Sequence, residues 1–183
     1  MSTLTAPTLL PMGITNAGDP AHLNLGDRGS AARHGLIIGG TASGKTVLLH
    51  HLAHHAAATM PQSSASHLAP QPLATVATPT NGLVLLDDPL AFAPPAALHE
   101  LLDRADAHHA AVVATACSEQ NGLAEQLQHR LSSAGRIWLH HPNPWRVQHA
   151  PVDVTSLDKH GHGYLHTARQ LREFRFGLHS THA

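Results

Sequence analysis

Two patterns of apolar residues alternate along this chain. The first pattern is a short, nearly uninterrupted apolar run, as at Leu83–Leu86, which is typical of a strand buried on both faces of a sheet. The predicted strands cover residues 10–14, 22–25, 34–38, 83–86, 110–114, 136–140, 163–166 and 172–176.

The second pattern has helical spacing. After Lys45, Leu48, Leu49 and Leu52 fall on one face at 100° per residue, with histidines on the other. This predicts a helix that fades near Thr59, and two more helices are predicted over residues 96–107 and 122–131. Because strands alternate with helices, the sequence predicts an α/β fold with a mainly parallel sheet.

Turn-forming residues mark the boundaries. Residues 16–20 join the first two strands into a lead-in hairpin, and the last two strands form a C-terminal hairpin. The Pro/Ser/Ala-rich stretch 60–82 is predicted to be a loop, with a short strand over 73–77. We therefore expect one domain over residues 10–177, between a disordered N-terminus (1–9) and a disordered tail (178–183).

Composition narrows the classes of function. The 183 residues include 11 Lys plus Arg against 12 Asp plus Glu, so the net charge of −1 gives no bulk positive field to attract nucleic acid. A single cysteine, Cys117, excludes an intramolecular disulfide and indicates a reducing compartment. No apolar run has the length of a membrane helix, and no signal peptide is evident, so a cytoplasmic protein without membrane insertion is expected.

A phosphate-binding loop carries the strongest chemical signal. The segment Gly39, Gly40, Thr41, Ala42, Ser43, Gly44, Lys45, Thr46 fits G-x-x-x-x-G-K-[ST], with a predicted strand before it and a helix after it. Glycines let backbone N–H groups wrap around phosphates, and the helix adds its positive end. Lys45 reaches the β- and γ-phosphates of ATP, and the Thr46 hydroxyl holds Mg²⁺.

Carboxylates follow the next buried strand. Asp87 is expected in the Mg²⁺ shell, and Asp88 is expected to polarise the attacking water, which makes Asp88 and Lys45 the candidate catalytic residues. A helix-capping turn is the alternative for this pair. Thr115, at the end of the following strand, is a candidate sensor of the γ-phosphate or an ordinary strand-end residue.

Residues 34–46 together resemble the nucleotide-binding segment of FtsK/SpoIIIE-type ATPases. Residues 10–25 resemble that family's lead-in hairpin, residues 109–115 its strand ending Ala-Thr, and Gly161-His-Gly163 its late Gly-x-Gly stretch. The resemblance implies a RecA-like P-loop core, ATP and Mg²⁺ as cofactors, ring-shaped homo-oligomers, and ATP-driven movement of double-stranded DNA. Relatives include plasmid-transfer proteins and EccC-type secretion ATPases, which act on proteins.

Departures from the family pattern keep a second function open. The stretch between Thr46 and Asp87 is short, and Asp88 stands where the family usually has Glu, which predicts weak hydrolysis. The alternative to a DNA motor is therefore a low-turnover nucleotide-binding module in a secretion-like complex. Candidate arginine fingers, which would act in trans in a ring, are Arg104, Arg130 and Arg136.

Histidine is unusually common, with 19 residues. The i,i+4 pairs His50/His54 and His51/His55 have a spacing that can hold zinc, but a solvated helix face is the expected role. The same role is expected for the pairs 108–109 and 140–141.

Overall fold

A computed structural model describes residues 9–26, 33–59, 64–67, 72–117, 125–147, 149–158 and 161–176. The predicted disordered tail and all but Leu9 of the predicted disordered N-terminus lie outside these residues. The described strands are Leu9–Ile14 (β1), Pro20–Asn24 (β2), Gly35–Ile38 (β3), Ser64–His67 (β4), Leu83–Leu86 (β5), Ala111–Ala116 (β6), Gly135–Leu139 (β7), His162–His166 (β8) and Leu171–Arg175 (β9).

Three helices connect the parallel strands. They are Lys45–Thr59 (α1), Pro95–Ala107 (α2) and Glu125–Leu131 (α3), and single 3₁₀ turns span Leu73–Thr75, Pro89–Ala91 and Pro144–Arg146. The helical face predicted after Lys45 is the buried face of α1, since Leu48, Leu49 and Leu52 have no solvent exposure. Pro95 starts α2 at a position where a missing N–H costs nothing.

The described strands form one sheet of nine, in the order β2-β1-β9-β8-β7-β3-β6-β5-β4. The α/β class is confirmed, but the prediction of a mainly parallel sheet is wrong. Pairing is parallel only from β7 to β4, and the β1–β2, β1–β9, β8–β9 and β7–β8 pairs are all antiparallel. The sheet is mixed because short turns join β1 to β2 and β8 to β9, and such tight connections can only join antiparallel strands.

The stretch predicted as a loop contains regular structure. Ser64–His67 is the edge strand β4, which pairs with β5, and Leu73–Thr75 is a 3₁₀ turn where a short strand was predicted. The strand residues Ser64, Ala65 and Ser66 lack the apolar alternation that identifies a strand in sequence, so pattern reasoning missed it.

Hydrophobic cores cover both faces of the sheet, which explains the uninterrupted apolar strands. In β3, Ile37 packs on the α1 side, while Leu36 and Ile38 pack on the side of α2 and α3. Successive strand residues point to opposite faces, so a strand covered by helices on both sides has no position for a polar residue. Polar side chains are therefore displaced to the strand ends, where the candidate site lies.

Candidate functional site

The predicted phosphate-binding loop, residues 39–46, joins β3 to α1 at the carboxyl edge of the parallel strands. Its backbone turns sharply, since Ala42 has φ +59° and Gly44 has φ +91°. A Cβ at Gly40 would lie 2.6 Å from Pro142 Cδ, and one at Gly44 would lie 3.3 Å from the Phe176 ring. The close approach at Gly40 and the positive φ of Gly44 require glycine, and together they let the loop turn directly into the N-terminus of α1.

Lys45, the first residue of α1, lies over this loop. Its Nζ donates to the carbonyl oxygens of Gly39 (2.9 Å) and Gly40 (2.8 Å), and the residue is buried. The ammonium group is therefore held at the mouth of the cradle, where it can bind a phosphate oxygen.

Thr46 connects the loop to the neighbouring strands. Its hydroxyl donates to Asp87 Oδ2 at 2.7 Å, and Thr115 donates to Asp87 Oδ1 at 2.7 Å. Asp87 directly follows β5, and Thr115 lies near the end of β6, so three different elements meet at one carboxylate. The structure thus brings together Thr46, Asp87 and Thr115, which the sequence had placed 28 or more positions apart.

Asp88 has a different set of contacts from Asp87. Its backbone is left-handed, with φ +43°, and its N–H donates to Thr115 Oγ1 at 2.7 Å. Oδ2 accepts a hydrogen bond from the Cys117 thiol at 3.3 Å, whereas Oδ1 is buried without a hydrogen-bond partner in the described part of the chain. A buried, unpaired carboxylate oxygen is costly, and such costs are commonly met at functional sites.

His140 and His141 are buried, so the prediction that this pair is solvated is wrong. His141 Nε2 donates to the Cys117 carbonyl (3.0 Å), and its Nδ1 accepts from the Asn143 N–H (3.0 Å). Gly40 N–H donates to the His140 carbonyl. The loop after β7 therefore supports both the phosphate loop and the end of β6, and its position directly after an apolar run was the signal available in the sequence.

The residues present fit ATP and Mg²⁺. The Gly40 and Gly44 cradle, the buried Lys45 ammonium and the helix N-terminus together suit a chain of phosphates. A hydroxyl beside a carboxylate, as in Thr46 and Asp87, is a donor set suited to Mg²⁺, which takes oxygen ligands and completes its shell from substrate phosphates. Another orphaned polar atom, Ser43 Oγ, is buried within the same loop.

The three candidate arginine fingers lie away from this loop. Arg104 Nη2 donates to the Leu73 carbonyl (2.8 Å), and Arg130 donates to the carboxylates of Asp103 and Asp106 (2.9 and 2.7 Å). Arg136 lies over the ring of Trp138. Arg130 and Arg136 line a cavity of about 700 Å³ at the amino ends of the parallel strands, the edge opposite to the phosphate loop.

The paired histidines of α1 are close in space. The rings of His51 and His55 are 4.5 Å apart. Among the described residues, no group of three His, Cys, Asp or Glu side chains is arranged to hold a metal ion. Within that same part of the chain, no helix combines the length and the apolar character that crossing a membrane requires.

Comparison with protein-family models and with curated proteins gives no sequence match. Solved structures do share the fold. The cytoplasmic domain of the type VII secretion ATPase EccC from Thermomonospora curvata superposes with a TM-score of 0.68 at 19% identity, covering 94% of this chain and 29% of that one.

Two further structures are similar. EssC (ATPases 2 and 3) from Geobacillus thermodenitrificans has a TM-score of 0.66 at 12% identity, with 94% and 41% of the two chains covered. The genome packaging NTPase B204 of Sulfolobus turreted icosahedral virus 2, in complex with AMPPCP, has a TM-score of 0.57 at 10% identity, covering 81% of this chain and all of that one. This chain spans less than a third of the EccC structure, and the likeness shows that it has the mixed α/β fold of these nucleotide-hydrolysing domains.

Proposed function

We propose that this protein is an ATP-binding P-loop ATPase of FtsK/SpoIIIE type that couples ATP hydrolysis to the movement or transfer of DNA. The observation that carries the proposal is the contact of Thr46, at the end of the phosphate loop, with Asp87, at the end of β5 (2.7 Å). A hydroxyl and a carboxylate brought together beside a phosphate cradle are the parts that a nucleotide–Mg²⁺ site requires.

Each residue has a role in this proposal. Residues 39–46 bind the phosphates through backbone N–H groups, and Lys45 neutralises charge on the β- and γ-phosphates. Thr46 and Asp87 hold Mg²⁺, which supplies charge neutralisation at the phosphates when it is bound. Asp88 accepts a proton or hydrogen bond from the attacking water, and Thr115 senses the γ-phosphate. Because Asp is one methylene shorter than Glu, we expect slow turnover.

The structural neighbours support nucleotide binding, and they suggest two classes of transported molecule, a secreted protein and a nucleic acid. EccC is a type VII secretion ATPase that has also been solved with a signal sequence peptide, EssC contains ATPase domains, and B204 is a genome packaging NTPase. A low-turnover nucleotide-binding module that assembles with secretion partners is the second candidate function. The near-zero net charge and the short stretch between Thr46 and Asp87 favour this second candidate.

Steady-state phosphate release, measured with and without duplex DNA, separates the two candidates. The motor requires DNA-stimulated hydrolysis, whereas the module requires ATP binding with little hydrolysis and no response to DNA. With a net charge of −1, DNA affinity should fall only shallowly with salt, with a slope that corresponds to roughly 2–4 phosphates per subunit. Failure to bind ATP in calorimetry would contradict both candidates.

The proposed ring assembly has a separate measurement. Arginine fingers act from a neighbouring subunit, so Arg104, Arg130 and Arg136 remain candidates although each has a partner within its own chain. Analytical ultracentrifugation with ATP and Mg²⁺ should show an oligomer, and the alanine variant of the true finger should lower hydrolysis while leaving both oligomer and ATP binding unchanged.

A further inference from the structure

The end of β6 presents two polar side chains to Asp88. Thr115 Oγ1 accepts the Asp88 N–H at 2.7 Å, and the thiol of Cys117, two residues further along, donates to Asp88 Oδ2 at 3.3 Å. Residues two apart in an extended chain point to the same side, so one strand end contacts both the backbone and the carboxylate of Asp88.

Asp88 needs such support because its own conformation is unfavourable. Its left-handed backbone, with φ +43° and ψ +52°, is uncommon for residues other than glycine, although aspartate adopts it more often than most. Without an anchor, the Asp88 side chain can adopt several rotamers, some of which move its carboxylate away from the reacting group. A displacement of about 1 Å can lower a rate about 100-fold.

We propose that Cys117 is a positioning residue for Asp88, its thiol binding Oδ2 and so fixing the orientation of the carboxylate at the end of β6. This inference rests on the proposed ATPase function. The contact limits the orientations that the carboxylate can take toward the attacking water.

The thiol is in the state that this role requires. Burial raises the pKa of the Cys117 thiol above its ordinary 9.0, and the contact with the Asp88 carboxylate also raises it, while the charge and a hydrogen bond of the nearby Lys45 lower it. Cys117 is therefore protonated at neutral pH and can donate its S–H. A buried thiolate beside a carboxylate would instead repel it.

Three variants test the role by steady-state kinetics with ATP. Cys117→Ala should lower kcat by about 10- to 100-fold, with KM for ATP within about twofold of wild type, because Oδ2 loses its anchor while the phosphate loop is intact. Cys117→Ser should recover most of the rate, since its hydroxyl donates in the same direction. The matched control is Thr75→Val, which deletes the hydroxyl that bonds the Pro72 carbonyl and should leave kcat unchanged.

A second measurement tests the contact between the Cys117 thiol and the Asp88 carboxylate without depending on ATP hydrolysis. Cys117 is the single cysteine of the chain, so its alkylation by iodoacetamide can be followed directly. Asp88→Asn should speed this reaction several-fold at pH 8, because removing the neighbouring charge lowers the pKa of the thiol. An unchanged alkylation rate would overturn the contact.

The kinetic outcomes also separate this inference from the function on which it rests. If the wild type hydrolyses ATP and Cys117→Ala does so at the same kcat, the positioning role is wrong while the ATPase assignment stands. If Cys117→Ser is as slow as Cys117→Ala, the thiol serves packing rather than hydrogen bonding, and the positioning role is again wrong. If the wild type binds but does not hydrolyse ATP, both the ATPase and the positioning role fail.

Discussion

Asp87 and Asp88 are adjacent in sequence, but their carboxylates have separate partners, so their substitution should have separate effects. Asp87 is bound by the hydroxyls of Thr46 and Thr115, and Asp88 by the Cys117 thiol. Asp88→Asn should abolish phosphate release and leave ATP binding intact, while Asp88→Glu should speed release because a longer side chain reaches closer to the attacking water.

Asp87→Asn should instead weaken only the Mg²⁺-dependent part of ATP binding. Calorimetry with and without Mg²⁺, together with phosphate release, distinguishes the two positions. If the Asp88→Asn variant hydrolyses ATP at the wild-type rate, Asp88 is only a turn residue.

Lys45 tests the phosphate loop itself. Lys45→Ala removes a charge-assisted contact to the phosphates, and each such hydrogen bond contributes about 1.5–3 kcal/mol, so ATP affinity should fall at least about tenfold. Arg169→Ala is the control, since it removes one positive charge from an exposed turn. A Kd that Lys45→Ala leaves unchanged, in a folded protein, would contradict the assignment of the loop.

Sequence reasoning selected Lys45, Thr46 and Asp87 as site residues, and the structure brings Thr46 and Asp87 into contact. Lys45 and Thr46 have fixed places in a motif, and Asp87 ends an apolar run. Cys117 and His141 were missed as members of the site, because their roles depend on which strands become neighbours. Cys117 reaches Asp88 only since β6 lies beside β5, an order that no pattern within either strand specifies.

At the scale of elements, the turn from β3 into α1 depends on the backbone freedom of Gly44. Its φ of +91° is unfavourable for any residue with a Cβ, and that Cβ would also approach the Phe176 ring. Gly44→Ala should therefore cost about 1–3 kcal/mol of stability and weaken ATP binding, as measured by urea unfolding and calorimetry.

Gly18→Ala is the matched control for this substitution. Gly18 has a similar φ of +86° but nothing within 4 Å of the added Cβ. Its alanine variant should lose stability from the backbone alone and keep wild-type ATP affinity. Equal losses of affinity in both variants would show that general destabilisation, rather than the loop, controls binding.

The elements were predicted well where their residue types carry a periodic or apolar pattern and poorly where they carry none. Burial can be recognised from the apolar residues themselves in strands β3, β5 and β6 and in the amphipathic helix α1. Edge strand β4 pairs with β5 through its backbone, and backbone pairing produces no periodic pattern of apolar residues in the sequence. The sheet was predicted to be mainly parallel because strands alternate with helices along much of the chain, whereas the pairs that β1, β2, β8 and β9 make are antiparallel.

For the molecule as a whole, His34 should make stability depend on pH. It is buried between β3 and α2, where Nδ1 accepts the Val112 N–H and Nε2 donates to Asp106, with Arg33 and Arg130 also facing it. Burial is the main cause that lowers its pKa below the ordinary 6.5, against the raising effect of Asp106. The folded protein therefore favours the neutral form of the His34 imidazole.

Because the unfolded chain binds the proton more readily, the contribution of His34 is fully present above pH 6.5 and is lost as the pH falls below that value. The slope from this one site is at most about 1.4 kcal/mol per pH unit. Urea unfolding at pH 7.5 and 5.5 should show a smaller difference for His34→Asn than for wild type. An identical difference would assign the pH dependence to other groups.

The contact between Phe176 and Gly44 has a consequence for biosynthesis. Phe176 follows β9, which pairs with β8 and also with β1 through Ile14 and Arg175, so the sheet joins strands from opposite ends of the described chain. The phosphate loop leaves the ribosome more than 120 residues before the ring that packs on it, and such long-range pairing is slow to form. In a nascent chain, residues 39–46 should therefore be exposed without the Phe176 ring packed against Gly44. We expect nucleotide to stabilise the protein only after synthesis has passed β9.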